Sequence, residues 1–167
     1  MPVTRPAAVS DPNPYRAPDA PVRDPGGGRR RSGYVAVAAG LAVDVLGTMI
    51  GGVVVTLILG IGLAAQGIAP EDMADRLTDS AAFQVFSLLF GLAFTVLGGY
   101  VAARVANHRE LWYGMLLGAA SLAFGEAYIA FSGAEIEVWQ RIASLLLAVP
   151  AGIYGAHLYR SRKRRDA

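Results

Sequence analysis

Long apolar runs dominate the chain, and charged residues fall between them rather than within them. No Asp, Glu, Lys or Arg occurs from Val45 to Pro70 or from Ser80 to Ala103. A third run, Leu111 to Gly125, ends at Glu126, and a fourth, Ile142 to Tyr159, carries only His157 as a group that could gain a proton. A helix rises about 1.5 Å per residue, so roughly 20 apolar residues cross a hydrocarbon core about 30 Å thick. Four segments approach or exceed that length, which predicts four transmembrane helices over about 34–65, 81–106, 109–131 and 134–160. The first is longer than the core requires, so it must tilt or begin in the headgroup region.

The polar stretches between these runs predict the connections. Pro70-Glu71-Asp72 reads as a helix start, because proline suits the first turn and acids suit the positive end of the helix dipole. Met73 and Leu77 then share a face, so a short amphipathic helix is expected there. Asp79 or Ser80 is expected to cap the second long helix. Asn107-x-x-Glu110 suggests a cap for the third, and Ser132-x-x-Glu135 a capping box for the fourth. Residues 1–33 are polar and hold most of the prolines, followed by Gly26-Gly27-Gly28, a composition that predicts a disordered tail. So long a polar stretch before the first apolar run argues against a signal peptide. Residues 161–167 are read as a basic tail.

Composition sharpens the class. Of the 167 residues, 54% are hydrophobic and 17% charged, against about 25% charged in typical soluble domains. Cysteine is absent, which excludes disulfides and thiolate metal sites. His108 and His157 have no metal-ligand spacing, so no metal or other cofactor is expected. The net charge of +2 reflects basic residues that flank apolar segments, with no basic patch interleaved with aromatics, so nucleic acid is not an expected partner. All the basic residues except Lys163 are Arg, which with abundant Ala and Gly suggests a bacterial source.

Those basic residues also orient the helices. All except Arg76 and Arg141 lie in the N-terminal tail, around the 104–109 turn or after Tyr159. The opposite loops carry Glu71, Asp72, Asp75, Asp79, Glu135 and Glu137. The positive-inside rule then places both tails in the cytoplasm. With short connections, the expected architecture is an all-α integral membrane protein, an antiparallel four-helix bundle with N-in/C-in topology, in the bacterial inner membrane.

Lipid supplies no hydrophobic drive between helices, so close packing must come from small residues and shared polar groups. Gly47 and Gly51 mark one face of the first helix, beside Asp44 and Thr48. Gln84, Gly91, Thr95, Gly98 and Ala102 form a seam on the second. Gly114 and Gly118 lie on the third, followed by Ser121 and Gly125. Ser144, Ala148, Gly152 and Ala156 step along the fourth, with Arg141 on the same side. Gly47, Gly51, Gly91, Gly98, Gly114, Gly118, Ala148 and Gly152 are the expected packing positions, within one chain or across a homo-oligomer seam. Pro150 should kink the fourth helix. The segment Gly98-Gly99-Tyr100-Val101-Ala102 echoes Gly152-Ile153-Tyr154-Gly155-Ala156, as shared demands at a cytoplasmic helix end would produce, with a parallel two-hairpin repeat of the kind some transporters carry as the alternative.

Three residues bring charge into the apolar segments. Asp44 lies on the small, polar face of the first helix. Buried carboxylates there serve either as structural hydrogen-bond acceptors or as stations on ion and proton paths, unless the residue stops at the interface. Glu126 and Arg141 stand at similar distances from Gly133 on successive helices, which predicts an ion pair, with a gate or ligand anchor as the sharper alternative. The Gly-rich segments lack a strand-turn-helix context, and no Ser/His/Asp constellation is present, so no catalytic residues and no enzymatic activity are expected.

Asp44-Val45-Leu46-Gly47-Thr48, Gly98-Gly99-Tyr100-Val101-Ala102-Ala103-Arg104 and the Tyr113-Gly114 opening of the third helix resemble small bacterial four-helix inner-membrane proteins, as does Asn13-Pro14-Tyr15 in the polar leader. The resemblance covers most of residues 13–125 and implies an inner-membrane location with no assigned activity. The expected role is therefore a non-enzymatic accessory or structural membrane protein, whose partners are the lipid bilayer and a second copy or another membrane protein. The alternatives are a small transporter or channel using Asp44 or Glu126, and an anchor that recruits a partner through its tails.

Overall fold

The computed structural model describes residues 32–133 and 136–165, and all regular structure within them is helical. In chain order the elements are α1 (Gly33–Ala65), α2 (Pro70–Thr78), α3 (Ala81–Ala106), α4 (Glu110–Ser132) and α5 (Val138–Arg165). The expected tail up to Arg31, Glu135 of the expected capping box, and Asp166-Ala167 lie outside the described residues. Four helices, α1, α3, α4 and α5, are long and apolar enough to cross a membrane. At 33 residues, α1 is about 50 Å long.

Local chemistry explains most of the boundaries. Gly67, at φ +78°, turns the chain after α1. Pro70 opens α2, Glu71 and Asp72 occupy its first turn, and Arg76 lies in its last. Ser80 caps α3, its hydroxyl accepting from the Phe83 amide at 3.4 Å. The Gln84 amide side chain donates to the Thr78 carbonyl at 2.8 Å and ties α3 back to α2.

Three expected boundaries are corrected. Asn107 does not cap α4; it closes α3 in the left-handed region at φ 54°, which asparagine tolerates. Arg109, at φ 48°, is the residue before α4, and no side chain caps that helix; Glu110 instead receives Lys163 from α5 at 3.1 Å. Ser132 is the last residue of α4. Gly133, at φ 66°, ends α4, and α5 begins only at Val138, where the Arg141 amide reaches the Glu137 carbonyl at 3.1 Å. At its other end α5 runs past 160 to Arg165. No Pro or Gly follows Gly155 to stop it, and Arg162, Lys163, Arg164 and Arg165 suit the negative end of its dipole.

The core is built inside out relative to a soluble protein. Among the described residues, the buried hydrophobic ones are Ala36, Ala102, Ala103, Ala106, Ala148, Ala156 and Leu117, and only Leu117 of these is large. Large apolar side chains face outward, as Leu57 at 61% and Ile61 at 71% exposure show. Small residues inside and large ones outside suit helices surrounded by lipid, where close backbone approach supplies the association energy. Together with the four long apolar helices, this arrangement points to a membrane protein.

α3 and α4 are central: each packs against α1 and α5 and against the other, while α1 and α5 do not meet. The closest approaches fall near the end of each long helix that lies toward Asn107. A side chain on Gly40 would meet the Gly98 carbonyl at 2.6 Å, and one on Gly114 the Gly152 carbonyl at 2.5 Å. Gly99 also abuts Gly152, and Gly155 abuts Val96 and Tyr100. The two segments that echo each other in sequence therefore pack against each other. Toward the opposite end contact fades. Gly52, Gly60, Gly62, Gly91 and Gly125 have nothing within 4 Å of where a side chain would begin.

Candidate functional site

Where the helices part, a cavity of about 550 Å³ opens among α1, α3, α4 and α5. Asp44 of α1, Thr95 of α3 and Ser121 of α4 line it next to the tightly packed half. Glu126 of α4 and Arg141 of α5 lie further along its wall. Ser121 and Glu126 are five positions apart on one helix, which sets the two polar groups about 7–8 Å apart along the axis.

Asp44 is 3% exposed, so its carboxylate must find partners in the protein. Its Oδ1 accepts from the Thr95 hydroxyl at 3.1 Å, and its Oδ2 accepts from the Ser121 hydroxyl. The Thr95 hydroxyl also lies 3.1 Å from the Gly91 carbonyl one turn earlier and shares its proton between the two acceptors. One carboxylate thus links three helices. Its depth follows from its neighbours. Asp44 stands one turn beyond Gly40, where α1 touches the α3 backbone, so it belongs to the packed interior and not to the end of the helix.

Glu126 and Arg141 meet through two charge-assisted hydrogen bonds. Arg141 Nε donates to Glu126 Oε1 at 3.2 Å, and its Nη2 donates to Oε2. The side chains are 33% and 53% exposed respectively, so this pair sits on the cavity wall rather than in a sealed core.

The expected packing glycines divide into three groups. Gly98, Gly114, Gly118 and Gly152 approach neighbouring backbone, and Ala148 is buried beside Gly118. Gly47 and Gly51 approach only side chains, the rings of Phe94 and Phe90. Gly91 touches no neighbour and lines the cavity, so its expected packing role is corrected. Sequence reasoning missed Gly40, Gly99 and Gly155. It also named Thr95 and Ser121 as seam residues without pairing them with Asp44. A hydroxyl on each of two facing helices, opposite a lone carboxylate, is the signal that could have found them.

A second polar group closes the Asn107 end. Lys163 Nζ donates to Asn107 Oδ1 at 2.8 Å and to Glu110 at 3.1 Å, and the Tyr159 hydroxyl donates to Asn107 Oδ1 at 3.2 Å. Both the Asn107 turn and the start of α4 are thereby fastened to the end of α5. Among the described residues, no cluster of three or more His, Cys, Asp and Glu side chains could hold a metal ion.

No family model, curated protein or solved structure matches the chain.

Proposed function

We propose that the chain is a non-enzymatic accessory or structural protein of the bacterial inner membrane. Its four spans form an antiparallel bundle with both ends of the helical region in the cytoplasm. The distribution of Arg around the Asn107 turn and after Tyr159, against the acids of residues 71–79, supports that orientation. In this frame the tightly packed half of the helices is cytoplasmic and the cavity opens toward the outer half.

The observation that carries the reading is the satisfied state of Asp44. A carboxylate on an ion or proton path needs a wet route on both sides. Here it is held by two hydroxyls, and the way past it is filled by Gly40, Gly98 and Leu117 in mutual contact. A polar tie of this kind fixes helix register and suits a protein whose work is to hold a shape for a partner. The cavity favours one second reading, a transporter at rest with its outer side open, because it reaches the same carboxylate.

Single cysteines separate the two readings, since the native chain contains none. Ser87→Cys, on the cavity wall, should react with an impermeant thiol reagent from the outer face only. Ala102→Cys, in the packed half, should react from neither face. Labelling of Ala102→Cys from the cytoplasm would overturn the accessory reading in favour of alternating access.

A further inference from the structure

We propose that the cavity binds a monovalent organic cation, a protonated or quaternary amine carried on an apolar body. The inference rests on the membrane-embedded reading above and adds a ligand to it. A volume of about 550 Å³ lies within the range of small-molecule sites, roughly 300–1,000 Å³. The walls are largely apolar, with Leu88, Leu92, Leu122 and Ile129 among them. Gly91 and Gly125 leave open space where a side chain would otherwise project.

Charge selects the class of ligand. Among the described residues, three charged side chains line the cavity, and Arg141 is committed to Glu126 through both hydrogen bonds. Asp44 remains, facing only the neutral hydroxyls of Thr95 and Ser121. When Asp44 is ionised, the described lining therefore carries one uncompensated negative charge beside the packed half. Where water is scarce such a charge acts strongly over a few ångströms. It attracts a cation and repels an anion, and a neutral guest would leave it uncompensated. Each carboxylate oxygen can accept more than one hydrogen bond, so the two hydroxyls leave capacity for an ammonium donor. One carboxylate and two hydroxyls among apolar walls make a poor cage for a bare metal ion, which needs several converging oxygens. They suit a large cation whose body fills the apolar space.

The test uses the full chain in lipid nanodiscs, with tetraphenylphosphonium as the cationic probe and tetraphenylborate as its anionic counterpart of the same shape. The expected result is saturable binding of the phosphonium at one per chain, with no competition from the borate. Asp44→Asn should weaken binding about 30-fold or more, as expected for losing one partner of a desolvated charge pair. Asp75→Asn, in α2 and outside the cavity, should leave it unchanged. Gly91→Leu fills the cavity from a position with free space, so it should fold normally and still lose binding. It carries the test alone if Asp44→Asn fails to fold. Absence of saturable binding to folded wild-type protein would refute the proposal, as would equal binding of the borate, or wild-type affinity in Asp44→Asn or Gly91→Leu. None of these results would disturb the membrane topology, which is read independently by reporter fusions.

Discussion

Asp44 and Glu126 are both carboxylates in long apolar segments, but their surroundings give them different weight. Asp44 is buried, and each oxygen is held by a hydroxyl from another helix. Removing one donor strands a buried acceptor, and interhelical hydrogen bonds in membranes are worth about 0.6–1.7 kcal/mol. Thr95→Val should therefore destabilise the protein by about 1–2 kcal/mol in equilibrium unfolding from mild detergent into denaturing detergent. Glu126 and Arg141 hold each other on the cavity wall, where both side chains are partly exposed. Glu126→Gln and Arg141→Leu should each shift the midpoint less than Thr95→Val, and the double variant should recover part of the loss. Strictly additive shifts would show that the pair contributes no coupling. The meeting of Glu126 with Arg141 was legible because their similar distance from Gly133 sets their level. The partners of Asp44 were not, because they lie far along the chain, and only the rotation of α3 and α4 about their axes decides which hydroxyls face α1.

Among the elements, existence was easier to read than ends or faces. The four long helices and α2 follow from apolar run length and from Pro70-Glu71-Asp72. Ends were harder, because Asn107 looks like a start signal yet serves the helix before it, and because basic residues after Tyr159 read as a tail although they suit a helix terminus. Faces were harder still. Gly98 approaches α1 while the adjacent Gly99 approaches α5, so α3 presents two small faces and a single seam could describe only one. The contacts give an order of sensitivity. Gly98→Leu and Gly152→Leu force a side chain against backbone and should lower the melting temperature most. Gly51→Leu displaces the far end of the Phe90 ring and should cost less. Val54→Ala and Leu147→Ala, on outward faces, should cost least, and Gly91→Leu should be tolerated. Thermal unfolding of the set in one detergent checks the ranking. Equal losses at Gly98 and Gly91 would contradict it.

At the scale of the whole molecule, the helices close at one end and part at the other. Gly40, Gly98, Gly99, Gly114, Gly118, Gly152 and Gly155 seal one half, and the Lys163–Asn107–Glu110 group fastens its end. The cavity occupies the other half, with Asp44 at the boundary. The sequence could not reveal this asymmetry, because glycines are spread along every long helix and only contact shows which ones are used. Which way the asymmetry points decides what the cavity can meet: it can receive an external ligand or partner only if its half faces outward. Reporter fusions read this directly in cells, with insertions at Asp75, Asn107 and Gly133 and a fusion after Arg165. External readings are expected at Asp75 and Gly133, and cytoplasmic readings at Asn107 and Arg165. The reverse pattern would turn the cavity toward the cytoplasm, and identical readings at Asp75 and Asn107 would mean that α3 does not cross the membrane.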